Sequence, residues 1–162
     1  MVSVESYLRT SFADLDREFK YGVIEKRNPA DVPHATAHMQ LIVFFAAHRK
    51  MHQLRVLPGL RLRIHDQLVR IPDISVFYPD APSDAVPSKP PFIIVEVLSL
   101  EDRMTKVRAK LEEYREWGIP HVWLVDPYER RMYCCEEGLK EVGTLRAPEI
   151  GLEMTPADIF EE

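Results

Sequence analysis

Two carboxylates and a lysine stand where they could do chemistry together. Asp73 follows Pro72 in the apolar stretch 68–77, and Glu96 comes near the end of the apolar run 92–98. Each acid falls where a strand would leave the core. Carboxylate oxygens at adjacent strand ends suit a hard divalent cation, Mg²⁺ or Mn²⁺, and such a cation with its water can attack a phosphodiester. Glu96 follows Ile93, Ile94 and Val95, where an unpaired carboxylate would be costly to bury. That favours a ligand role over a strand-end ion pair. The neighbouring backbone carbonyl of Val97 is a natural further oxygen ligand. Downstream, Lys106, Lys110 and Tyr114 recur every four residues and share one helix face. Lys110 would set a cation beside negative charge developing on a phosphate; a solvated helix lysine is the plain alternative. For Lys106 a surface role is the simpler expectation. Tyr114 serves equally as a hydrogen-bonding group at the site or as a core residue with a polar tip.

Periodicity and punctuation outline the elements that must hold these residues. Residues 3–10 predict a short helix, and 17–27 a strand pair turning at Tyr21-Gly22. Pro29 and Pro33 make 28–33 a loop. Residues 34–51 carry Ala37, Leu41, Phe44, Phe45 and His48 near helical spacing, which predicts a buried amphipathic helix. A β region opens over 56–63. Residues 68–77 predict one strand, bent or bulged at Pro72. Four prolines make 80–91 an exposed loop. The run 92–98 predicts a strand buried on both faces. Ser99 begins a cap region, with Asp102 as N-cap or first-turn acid, and a helix then runs to Trp117. Gly118 and Pro120 stop it. A buried strand over 121–125 turns at Asp126-Pro127 into 131–135. Gly138 and Gly143 bracket a last hairpin, and Pro156 opens a short C-terminal helix. The strand-helix-strand unit 92–125 is a crossover, so the expected fold is α/β, a mixed β-sheet flanked by helices.

The bulk numbers bound the class. A chain of 162 residues with 46% hydrophobic and 29% charged residues suits one globular domain, 1–162. No apolar run approaches the roughly 20 residues of a membrane span, and the N-terminus lacks an apolar secretory core. A cytoplasmic protein is expected, with no membrane partner. Adjacent Cys134 and Cys135 would face opposite sides of a strand and serve packing. The net charge of −5 does not announce a nucleic-acid binder, yet six Lys/Arg between Arg49 and Arg70 stand against Asp66 alone. Such a stripe can contact phosphates; solvated charges on a helix end and a hairpin explain it equally well.

Several of these motifs, in this order, carry a resemblance. Pro72-Asp73, then Val95 to Ser99, then Lys110 to Tyr114, then Gly118 to Pro127 resemble the Uma-two family of restriction endonucleases, within the PD-(D/E)XK nuclease superfamily. Glu18 to Gly22 and His34 are similar to that family's opening hairpin and long helix. The resemblance implies a restriction-endonuclease-like fold, with Asp73 and Glu96 as metal ligands. Leu98 stands where many nucleases of the superfamily have lysine; Lys110 matches the helix position that family members use instead. Glu18 matches an acid that helps complete the site in related folds. The implied function is Mg²⁺-dependent hydrolysis of DNA, approached through the Arg49–Arg70 surface. A homodimer fits an enzyme that cuts both strands.

Two rival classes remain. A catalytically inactive nucleic-acid-binding or interaction module on the same fold would keep the basic surface without metal dependence. A zinc hydrolase would use the i, i+4 pair His34 and His38, for which no third ligand is recognisable. His34 as a contact to phosphate or to a site carboxylate is the better expectation. A P-loop and a Gly-x-Ser-x-Gly elbow are both missing from the sequence.

Overall fold

The computed structural model describes residues 1–12 and 16–160. Helix α1 (Val4–Arg9) starts at Ser3, whose hydroxyl accepts from Ser6 N–H. Strands β1 (Arg17–Lys20) and β2 (Val23–Lys26) follow. They turn through Tyr21 and Gly22, both at positive φ, the two-residue turn whose twist matches an antiparallel pair. Helix α2 (Val32–His52) starts two residues earlier than the sequence predicts. Asp31 caps it by accepting from His34 N–H, and Pro33 sits in its first turn, where its missing N–H costs nothing.

Strands β3 (Arg55–Pro58), β4 (Leu62–His65), β5 (Leu68–Arg70) and β6 (Ile74–Phe77) come next, then β7 (Ile93–Val97), helix α3 (Met104–Trp117), β8 (His121–Asp126) and β9 (Arg131–Cys135). The chain finishes with β10 (Leu139–Val142), β11 (Leu145–Ala147), a 3-10 turn, β12 (Leu152–Met154) and helix α4 (Pro156–Phe160). Gly118, at φ +110, ends α3 in the left-handed region as expected. The last hairpin is β11–β12, beyond Gly143. Gly138 instead turns β9 into β10, its antiparallel neighbour.

Six strands form a mixed sheet in the order β10-β9-β8-β7-β6-β3. Its one parallel pair, β7 with β8, is joined through α3, which is the predicted crossover. A four-stranded antiparallel sheet has the order β2-β1-β5-β4. The stretch 68–77 is therefore not one bent strand: β5 and β6 belong to different sheets, and Ile71-Pro72-Asp73 is the switch between them. Proline removes a ladder donor and restricts the residue before it, so pairing stops there.

Strand alternation sorts two cores. Ile74, Val76, Ile93, Val95 and Trp123 pack with Leu41, Phe44 and Phe45 of α2. On the opposite face Phe77, Ile94, Val122 and Leu124 pack with Leu111 and Tyr114 of α3. Cys135 joins the α3 side while Cys134 packs on the α2 side, and both thiols are free. No described helix is long and apolar enough to cross a membrane.

Candidate functional site

Parity sends both acids to the α3 face. In β7, Glu96 follows Ile94 by two residues and shares its face; Asp73, just before β6, has the parity of Phe77. The β6–β7 register pairs Ile74 with Val95, and one step further sets Asp73 opposite Glu96. Like charges directly opposed across a ladder repel, and these are only 4% and 8% exposed. Neighbours must compensate them.

The sheet switch supplies part of the compensation. Around Pro72, two buried backbone donors have no strand partner. Ile71 N–H donates to Glu18 Oε2 at 2.7 Å, and Asp73 N–H donates to Glu96 Oε1 at 2.9 Å. In return, Val97 N–H donates to Asp73 Oδ2 at 2.7 Å. Each of the three acids thus has one oxygen pinned by a backbone amide.

The other oxygens meet cations. Arg27 Nη2 lies 2.9 Å from Asp73 Oδ1. Lys110 Nζ lies 3.4 Å from Glu96 Oε2 and 3.5 Å from Glu18 Oε1. Arg70 Nη1 is 3.2 Å from Glu18 Oε1, and its other face forks onto Glu113 with bonds of 2.9–3.3 Å. Glu96, Lys110, Glu18 and Arg70 alternate in one chain of ion pairs, and the Arg27–Asp73 pair joins it through the Asp73 N–H bond to Glu96.

Burial and these neighbours drive the two opposed acids apart. Burial pushes Glu96 up to about 7; Lys110 opposes the rise, and the charges of Asp73 and Glu18 add to it. For Asp73, burial works upward too, but the His34 contact, Arg27 and the Val97 amide outweigh it and hold the carboxyl below its ordinary value. The two opposed acids are thus shifted in opposite directions, Asp73 down and Glu96 up, and they titrate as a pair. Burial lowers Lys110, yet Glu96 and Glu18 more than restore it, so its ammonium persists.

Two histidines of α2 close the other side. His38 Nε2–H donates to the Asp73 carbonyl at 2.9 Å. His34 Nε2 approaches Asp73 Oδ2 at 3.8 Å, while its Nδ1 is buried without a partner. Burial depresses His34, and the nearby Asp73 carboxylate overcomes it, raising its pKa above the ordinary value. Both rings turn to Asp73, and among the described residues no cluster of three or more His, Cys, Asp or Glu has metal-holding geometry.

A cleft of about 550 Å³ opens above the network, between the β1–β2 hairpin and the start of α3. Its walls include Glu18, Arg27, Arg70, Arg103, Lys106 and Lys110. Asp73 and Glu96 are not among them; they lie beneath the cations.

The structure brings together Glu18, Asp73, Glu96, Lys110 and the Val97 amide, all from residues the sequence singles out. Tyr114 is fully buried, its hydroxyl without a partner, in the core beneath. Lys106 is exposed at the cleft. Arg70 is a correction: it is 4% exposed and ion-paired, so it belongs to the site network and not to a basic surface. Its signal was its place in a buried strand between Val69 and Ile71, where an arginine needs partners. The predicted cap is a second correction. Arg103 stands at the α3 N-cap with no side-chain bond, because Asp102 is used otherwise. It accepts from Ser99 N–H and from Asn28 Nδ2, tying the hairpin's end to the start of α3. Arg27 carries no sequence signal at all.

No curated protein matches the chain. Among solved structures it is similar to a "putative nuclease belonging to DUF820" from Anabaena variabilis ATCC 29413. The TM-score is 0.82 at 20% identity, over 99% of this chain and 98% of that one, which establishes a shared fold. Residues 4–161 match the sequence profile of the Uma2 family, described as "Putative restriction endonuclease", and with nearly the whole chain inside that match the protein belongs to this family.

Proposed function

We propose that this protein is a DNA endonuclease that hydrolyses phosphodiester bonds with a divalent cation, Mg²⁺ or Mn²⁺. The observation that carries the reading is the pair Asp73 and Glu96, opposed across β6 and β7, each with one oxygen fixed by a backbone amide and the other directed at positive charge. The donor set fits a hard cation, which takes carboxylate and carbonyl oxygens. Asp73 and Glu96 would hold it, with the carbonyl of Val97. That carbonyl points to the same side as its N–H, which bonds Asp73. A bound cation of this kind polarises a phosphoryl oxygen and makes water a nucleophile near neutral pH.

The chain's own residues do the rest. The backbone amides of Asp73 and Val97 each fix one oxygen of the opposing carboxylate, which holds the two acids in place. Lys110 sets its ammonium at the cleft wall, where it offsets negative charge gathering on the phosphate. Glu18 positions Lys110 and Arg70 together. DNA would follow the cleft along Arg103 and Lys106. Arg49 and Lys50 stand at the far end of α2, about 22 Å along its axis from His34.

The alternative, a catalytically inactive nucleic-acid-binding module, draws on the same ion pairs, since Arg27 and Lys110 already balance the acids. Nicking of supercoiled plasmid under Mg²⁺ and Mn²⁺ titration separates the two. The nuclease reading requires metal-dependent nicking that disappears in Asp73→Ala. DNA binding that is independent of metal, without cleavage and unchanged by that substitution, establishes the module instead.

A further inference from the structure

Arg27 is the cation that bonds Asp73 Oδ1, the oxygen left over once Val97 N–H has taken Oδ2. It is also the oxygen a divalent cation would need, so this inference rests on the reading above. Arg27 lies between Asp73 and solvent: its side chain is 27% exposed against 6% for Asp73, and it lines the cleft while Asp73 does not. A guanidinium cannot leave by losing its proton. The surrounding acids reinforce this: burial lowers Arg27, but Asp73, Glu96 and Glu18 raise it further. It can leave only by moving, and the cleft beside it gives the side chain room to swing.

We propose that Arg27 is a resident counter-cation, which holds Asp73 in the metal's place and must swing into the cleft before a divalent cation binds. Both positive charges compete for one oxygen, so the site binds metal more weakly than its donors alone would allow. In that position Arg27 is a positioning residue. It keeps the anionic Asp73 buried and charged when no metal is present. Once displaced, its planar fork faces the same cleft that would take a phosphate, the oxyanion it matches best. Lys110 does not serve the same purpose at Glu96, being a point charge on a flexible stem at 3.4 Å.

The test reads metal binding without turnover: Mn²⁺ titration into the full chain, with free Mn²⁺ followed by electron paramagnetic resonance. The proteins are wild type, Arg27→Met, Arg27→Lys and Asp73→Asn. A charge-assisted hydrogen bond is worth roughly a tenfold to hundredfold factor in an equilibrium, and Arg27→Met should tighten Mn²⁺ binding by about that much. Arg27→Lys should return most of the way to wild type, which a merely structural role for the arginine does not predict. Where Arg27→Met does not fold, Arg27→Gln keeps a donor for Asp73 without the charge and carries the same expectation. Binding that is unchanged or weaker in the neutral variants, but abolished in Asp73→Asn, overturns the counter-cation and leaves the metal site standing. Binding indifferent to Asp73→Asn, or no binding in any variant, overturns the metal reading itself and this inference with it.

Discussion

Removing Glu18 should destabilise this protein, although it lies in a crowd of acids. An acid kept only for catalysis among like charges commonly stabilises the fold when it is replaced. Glu18 is different because its Oε2 is the partner of the buried Ile71 N–H at the sheet switch. Glu18→Ala orphans that donor, which costs about 1–3 kcal/mol. It also removes a charge-assisted bond to Arg70, at the low end of such bonds, roughly 1.5 kcal/mol, because Glu113 still holds that guanidinium. The total is about 2.5–4.5 kcal/mol, or a Tm lower by roughly 5–18 °C for a chain of this size. Glu18→Gln retains an oxygen for Ile71 and loses the charge, so about half of that is expected. Urea unfolding followed by tryptophan fluorescence measures both, since Trp123 is only 2% exposed in the core. An Ala variant with a midpoint at or above wild type refutes the account of the switch. Equal losses in Ala and Gln would show that charge, and not the backbone bond, dominates.

Other consequences are open to measurement. Lys110→Met should lower plasmid nicking by about 10²–10³-fold, the usual loss of one electrostatic group at a phosphoryl centre, with the fold intact by circular dichroism. Lys106→Glu should reduce the slope of log DNA affinity against log salt by about one, while Arg49→Glu at the far end of α2 should leave it unchanged; equal effects would return DNA to the surface first expected. Asp31 caps α2, and the His34 amide, with help from Tyr128 and against the opposing pull of desolvation, holds its carboxyl below the ordinary 3.8. A depressed folded-state pKa adds stability above the unfolded value and loses it as pH falls through the folded one. Asp31→Ala should therefore lower Tm at neutral pH, and the gap should narrow below about pH 4; a gap that widens in acid contradicts the capping charge.

Helix positions, the crossover unit and the two opposed acids were legible because they depend on local rules. Ala37, Leu41, Phe44 and Phe45 repeat at helical spacing and all are buried on α2. The alternation of Ile93 to Val97 already implies that Glu96 shares a face with Ile94. The left-handed stop at Gly118 follows from a residue type. Such features need only neighbours along the chain.

What the chain could not show by itself is which distant groups meet. That Pro72 divides two sheets, where one bent strand was expected, depends on Glu18 and Glu96 arriving to take the freed amides. Arg27 looks like an ordinary surface charge in sequence, and the buried strand around Arg70 says only that it needs a partner, not which one. Their partners come from far along the chain, with contacts such as Arg27–Asp73 and Arg70–Glu113 spanning 46 and 43 residues. Asp102, expected at the cap of α3, accepts instead from Ser99 N–H and from Asn28, 74 residues away. Local sequence determined the apolar alternation and which acids it aims inward. Tertiary packing alone decided the cations that balance those acids, since a buried charge takes whatever partner the fold brings to it.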